Sequence, residues 1–153
     1  MLFDKLFPRT VRARIGIIDK SPHFSQGLKQ MLSAVGHIVV LDASDEENFL
    51  HIVKTLELPP QLIILDVDMH DKDFPQIIKQ LLHGVTGTRI LLLTLNKKYP
   101  DLKALIEGDG GASGFIYKTA DVEVFQEAIR RIIGGRIFLP DLGTMLLAQK
   151  GIL

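Results

Sequence analysis

The stretch Gln61-Leu62-Ile63-Ile64-Leu65-Asp66-Val67-Asp68-Met69-His70-Asp71 decides the fold, because an unbroken apolar run after Pro59-Pro60 ends in a group of carboxylates. Short Ile/Leu runs bounded by turn residues read as strands covered on both faces, as central strands of parallel sheets are. Asp66 closes this strand. In open α/β sheets the carboxyl ends of the strands border the crevice where ligands bind, so the acid stands where such sheets do their chemistry.

The same pattern repeats on either side. Arg14–Ile18 reads as a first strand ending in Asp19-Lys20, and Ser21-Pro22 then supplies a cap and a first-turn proline for a helix running to about Val35, with Gly36 as its stop. His37–Leu41 reads as a second strand. Ser44 and Glu47 have the spacing of a capping box for a helix through Leu50, Ile52, Val53 and Leu56. Downstream, Pro75–Leu82 is a short helix with Ile77, Ile78, Leu81 and Leu82 inward. Arg89–Thr94 is a fourth buried strand, followed by a helix through Leu102, Leu105 and Ile106 that dissolves in Gly108–Gly111. Ser113–Tyr117 is the fifth strand, and Val122–Ile133 an amphipathic helix closed by Gly134-Gly135. Strands alternating with helices predict right-handed crossovers and an α/β fold with a doubly wound, five-stranded parallel sheet covered by helices on both faces.

Residues 1–13 read as an N-terminal extension whose Leu2, Phe3, Leu6 and Phe7 suit a covering arm or a dimer contact. Residues 14–139 form the domain, and 140–153 begin a linker or one more short helix over Pro140–Leu147. The 153 residues fit one domain, and 46% hydrophobic residues with a mean hydropathy of +0.22 predict a folded core. Eighteen basic and eighteen acidic residues cancel, which argues against nucleic-acid binding through this chain. No apolar run approaches the roughly 20 residues of a membrane span. The lack of cysteine suits a reducing compartment, so the expected location is cytoplasmic.

Asp19 and Lys20 end the first strand, Asp66 the third, Thr94 the fourth and Lys118 the fifth. A central carboxylate ringed by a second acid, a hydroxyl and a lysine is what phosphorylating an aspartate requires: a nucleophile, a place for a cation, and donors that hold the product. His70 lies near several acids, but a solitary loop histidine is a poor start for a transition-metal site. His23, His37, His51 and His83 have no ligand spacing, and Lys97-Lys98 reads as a solvated helix start.

From about Arg14 to Leu139 the sequence resembles the receiver domains of two-component response regulators, of the CheY-like superfamily and the NarL/LuxR type. The resemblance rests on IGIIDKSPHFSQGLKQML, LIILDVDM, GASGFIYKTA and FQEAIRRIIGGRIFLP. It implies that Asp66 is the phosphoacceptor, that Thr94 and Lys118 contact the phosphoryl group, and that Asp19, Asp66 and the Asp68 backbone carbonyl hold Mg²⁺. Thr94 and Phe115 then take the switch positions. The implied partner is a histidine kinase or another signalling protein, with homodimer formation through the fourth helix and fifth strand, or through the arm.

Some positions depart from the family. Lys20 stands where a second metal-binding acid is usual, and a lysine cannot ligate Mg²⁺. Its ammonium is expected to reach Asp66 and mimic the metal's charge. His70 and Asp71 replace the usual proline and glycine-like residue, bulky Leu95 stands where a small residue is common, and Gly108–Gly111 is a longer turn. Three functions therefore compete: a phosphorylated, non-enzymatic signalling domain; a receiver-like interaction module independent of phosphate; and, remotely, a phosphatase using Asp66-Val67-Asp68 as a DxD motif. That motif belongs on an early strand and not on the third.

Overall fold

The computed structural model describes residues 11–69 and 71–140; the expected arm over residues 1–10, His70 and the expected helix after Pro140 lie outside the described residues. The strands are β1 (Arg14–Ile18), β2 (Ile38–Ala43), β3 (Leu62–Asp66), β4 (Arg89–Thr94) and β5 (Gly114–Tyr117), paired in parallel in the order β2-β1-β3-β4-β5. The chain winds outward in both directions from β1 and β3. That reversal opens the crevice between the ends of those two strands.

Side chains alternate across the sheet. Ile15, Ile17, Leu62, Ile64, Leu91, Leu93 and Ile116 face one way, against α1 (Pro22–Ala34) and α5 (Val122–Ile133), which contribute Leu28, Leu32, Phe125, Ile129 and Ile132. Ile63, Leu65, Ile90, Leu92 and Phe115 face the other way, against α2 (Glu46–Val53), α3 (Phe74–Gly84) and α4 (Tyr99–Ile106). Each fully buried Ile or Leu stabilises the fold by about 2 kcal/mol relative to exposure. Two faces of such residues explain why β3 is apolar without alternation. Gly16 on β1 makes room for this packing, since a Cβ there would come within 2.5 Å of the buried Phe49 ring.

Local differences from the sequence reading have physical causes. The cap of α2 is Asp45 and not Ser44: its carboxylate accepts the Asn48 N–H at 2.8 Å, so the helix starts at Glu46. That helix stops at Val53, leaving Ile52 exposed and Leu56 beyond the helix but half-buried on the core. His37 precedes β2 because its N–H closes the turn after α1 on the Leu32 carbonyl at 3.0 Å. Ala13, expected in the extension, is fully buried and accepts the Ile38 N–H at 2.9 Å. Past α5, Phe138 forms a parallel bridge with Gly114, an addition to the sheet that the sequence reading did not foresee. A Cβ at Gly114 would collide with the Phe138 carbonyl, which explains the glycine.

Candidate functional site at the carboxyl edge

Strand register assembles the site. Ile18 pairs with Leu65, so Asp19 and Asp66 leave adjacent strands side by side. Thr94 pairs with Tyr117, and its carbonyl accepts the Lys118 N–H at 2.8 Å, which carries the lysine past the end of β5 toward the acids. Lys118 Nζ lies 3.3 Å from Asp66 Oδ2 and 3.6 Å from Asp19 Oδ2, with its side chain 8% exposed. Beneath the ammonium lies the Phe24 ring, 4.8 Å away at its centroid, a cation–π contact from α1. Asp19, Asp66 and Lys118 therefore meet, with Thr94 tied to them through its backbone bond to Lys118.

Asp19 is the less fully hydrogen-bonded of the two acids. Its Oδ1 accepts the Ser21 N–H at 2.7 Å, whereas Oδ2 is buried with no hydrogen-bond partner, 3.6 Å from the lysine and beside Asp66. Burial pushes the Asp19 carboxyl above its ordinary range, the nearby Asp66 charge adds to this, and the Ser21 N–H and Lys118 oppose it. An unsatisfied buried carboxylate oxygen beside a second carboxylate suits a hard cation. Mg²⁺ accepts one or two carboxylates and fills its shell with water and phosphate oxygens, so this donor set fits it despite being one acid short.

Lys20 does not meet the expectation placed on it. It is exposed, and no ion pair among the described residues joins it to Asp66; the cation at Asp66 is Lys118. The reason is local: the Ser21 N–H turns back onto Asp19 and starts α1, so Lys20 lines a groove with Ser44, Asp45, Met69 and Lys72. Leu95 is 52% exposed, so its bulk lies toward solvent and does not crowd the acids. Asp71 adopts φ 56, the left-handed conformation that glycine would take without strain.

Asp68 engages the site through its side chain, which the sequence reading did not foresee. Its backbone N–H donates to Asp66 Oδ1 at 2.9 Å. Its carboxylate accepts the Thr94 hydroxyl at 2.6 Å on Oδ1 and the Leu95 N–H at 2.6 Å on Oδ2. Thr94 Oγ1 in turn accepts the Lys97 N–H at 3.0 Å. The signal in the sequence was a second carboxylate two residues after the first; Phe24 and Ser21 carried no such signal. Behind Thr94, Phe115 is fully buried, stacked on Tyr99 at 6.2 Å between ring centroids and edge-on to Tyr117 at 5.6 Å.

Five parallel strands in this order, with an acid pair and a lysine at their carboxyl edge, define a receiver-type domain. The sequence matches the response regulator receiver domain family over residues 15–130, and the chain belongs to that family. It is 29% identical over 140 residues to a nitrate/nitrite response regulator homologue of Haemophilus influenzae, covering 91% of this chain and 65% of that protein. It is 30% identical over 124 residues to the nitrate/nitrite response regulator NarP of Escherichia coli, covering 80% of this chain and 56% of that protein. The chain thus spans less than two thirds of these relatives. A LuxR-family two-component response regulator from Aurantimonas sp. SI85-9A1 has the same fold, with a TM-score of 0.73 at 23% identity over 92% of this chain and 99% of that one. The chain is a receiver domain of the NarL type. Among the described residues no helix is long and apolar enough to cross a membrane.

Proposed function

We propose that Asp66 accepts a phosphoryl group from a partner histidine kinase in the cytoplasm, and that the resulting change at Thr94 and Phe115 passes to a partner or a second copy and on to transcription. The observation that carries this reading is the buried ammonium of Lys118 held between Asp66 and Asp19. The Asp66 carboxylate attacks phosphorus as the bond to the donor nitrogen breaks, forming an acyl phosphate, and the leaving imidazole keeps the electron pair and takes a proton. Lys118 offsets charge on the transferred oxygens, which matters more in a shielded site than in water. Mg²⁺, when bound by Asp19 Oδ2, Asp66 and the Asp68 carbonyl, supplies further positive charge to those oxygens. Phe24 fixes the ammonium from below, and Ser21 fixes the orientation of Asp19. The reading needs no substrate turnover of its own.

The test is intact mass after incubation with acetyl phosphate and Mg²⁺. Wild type gains one hydroxylamine-labile phosphoryl group and Asp66→Asn gains none; an unmodified wild type sinks the reading. In that event the phosphate-independent interaction module is the better reading. It is favoured by the Thr94 hydroxyl already being bonded inside the protein.

A further inference from the structure

The Thr94 hydroxyl carries one proton, and that proton is given to Asp68 Oδ1 at 2.6 Å. The next backbone N–H, that of Leu95, goes to the other oxygen of the same carboxylate at the same distance. Both donors stand at the end of β4, beside the strand that ends in Asp66. An anionic group with two oxygens has taken both of them. Thr94 cannot serve Asp68 and an incoming phosphoryl oxygen at once.

We propose that the Asp68 carboxylate is a built-in competitor of the phosphoryl group: it holds the Thr94 hydroxyl and the Leu95 amide in the unphosphorylated protein, and a phosphoryl group on Asp66 must displace it. This rests on Asp66 being the phosphoacceptor. Three features make the side chain a latch and not a passing contact. Its carboxylate is anchored at both oxygens, charge-assisted bonds of this length are among the stronger ones, and the Asp68 N–H is tied to Asp66 Oδ1 at 2.9 Å. The loop beyond is drawn in as well, because Lys97 donates to the same Thr94 oxygen.

Two consequences follow for the switch. Thr94 and Phe115 are both fully buried while Asp68 holds the Thr94 hydroxyl, so the latch and the inward placement of both residues coexist. A phosphoryl dianion arriving at Asp66 meets the Asp68 carboxylate as a like charge, which lowers its affinity until the latch opens. Asp68 is thus a positioning residue for Thr94 that sets how readily the site accepts the group.

The experiment compares the whole chain as wild type and Asp68→Ala by amide NMR, first alone and then titrated with beryllofluoride in the presence of Mg²⁺. Without the probe, the Leu95 and Lys97 amide protons are expected well downfield in wild type and upfield in the variant. With the probe, the variant is expected to bind roughly tenfold more tightly or better, the scale of one lost charge-assisted bond. Unchanged Leu95 and Lys97 amides overturn the latch, and a shifted amide with unaltered beryllofluoride affinity overturns the competition. If neither protein binds the probe while the amides still respond, the phosphoacceptor reading has failed and the competition falls with it, the amide response distinguishing this from failure of the latch itself. Asp68→Asn, which keeps the volume and one neutral acceptor, carries the same test if Asp68→Ala does not fold, with an intermediate gain expected.

Discussion

Lys118 reaches Asp66 from the far side of β4, its Nζ 3.3 Å from Oδ2, and the same ammonium lies 3.6 Å from the orphaned oxygen of Asp19. One cation is thereby shared by two buried acids. Replacing it with methionine keeps an unbranched apolar stem and leaves both carboxylates without a counter-charge. Lys118→Met is expected to destabilise the fold by about 2 kcal/mol at neutral pH, measured by urea unfolding. The loss should shrink in the Asp19→Asn background, where one of the two charges is absent. Equal losses in both backgrounds would show that the shared charge is not the cause.

His37 makes one contribution to the pH dependence of stability. Its ring is buried, Nδ1 accepts the Ala13 N–H at 3.1 Å, and burial holds the imidazole below its ordinary value. Burial in the folded state disfavours the charged form of this histidine, so the unfolded chain binds more protons as pH falls through about 6.5. The contribution is present above that value and is lost as pH falls through the folded-state value. Wild type should therefore lose stability on acidification from pH 7 toward 5. In His37→Asn, whose amide oxygen replaces Nδ1 as acceptor, that part of the slope should vanish, as followed by thermal unfolding at several pH values.

Gly114 is required by a close approach and Gly27 is not. A Cβ at Gly114 strikes the Phe138 carbonyl, while one at Gly27, inside α1, meets nothing within 4 Å. Gly114→Ala should cost about 2 kcal/mol and speed amide exchange at Phe115 and Phe138. Gly27→Ala should stabilise by roughly 0.5–1 kcal/mol through helix propensity. Like signs for the two substitutions in chemical unfolding would refute the contrast.

The elements most legible in the sequence were those whose burial pattern had one solution. Leu62–Leu65 and Ile90–Leu93 are apolar without alternation, so they read as strands covered on both faces, and the residues that follow them are Asp66 and Thr94. What the sequence hid depended on where a side chain turns after its backbone is placed. Lys20 follows Asp19 by one residue, yet the Ser21 turn carries it outward while Lys118, nearly a hundred residues on, supplies the cation. The choice between Ser44 and Asp45 as cap was a competition between adjacent acceptors that spacing alone does not resolve. His37 looked idle because its partner is a backbone N–H, which leaves no mark in a pattern of side chains.

The bridge at Phe138 also has a mechanical meaning. It joins the departing chain to β5 through the Phe115 N–H on the Phe138 carbonyl at 3.2 Å and the Phe138 N–H on the Ser113 carbonyl at 2.9 Å. Both bonds lie at the end of β5 away from Lys118, so the chain leaving α5 is fastened to the sheet apart from the contacts that hold the ammonium.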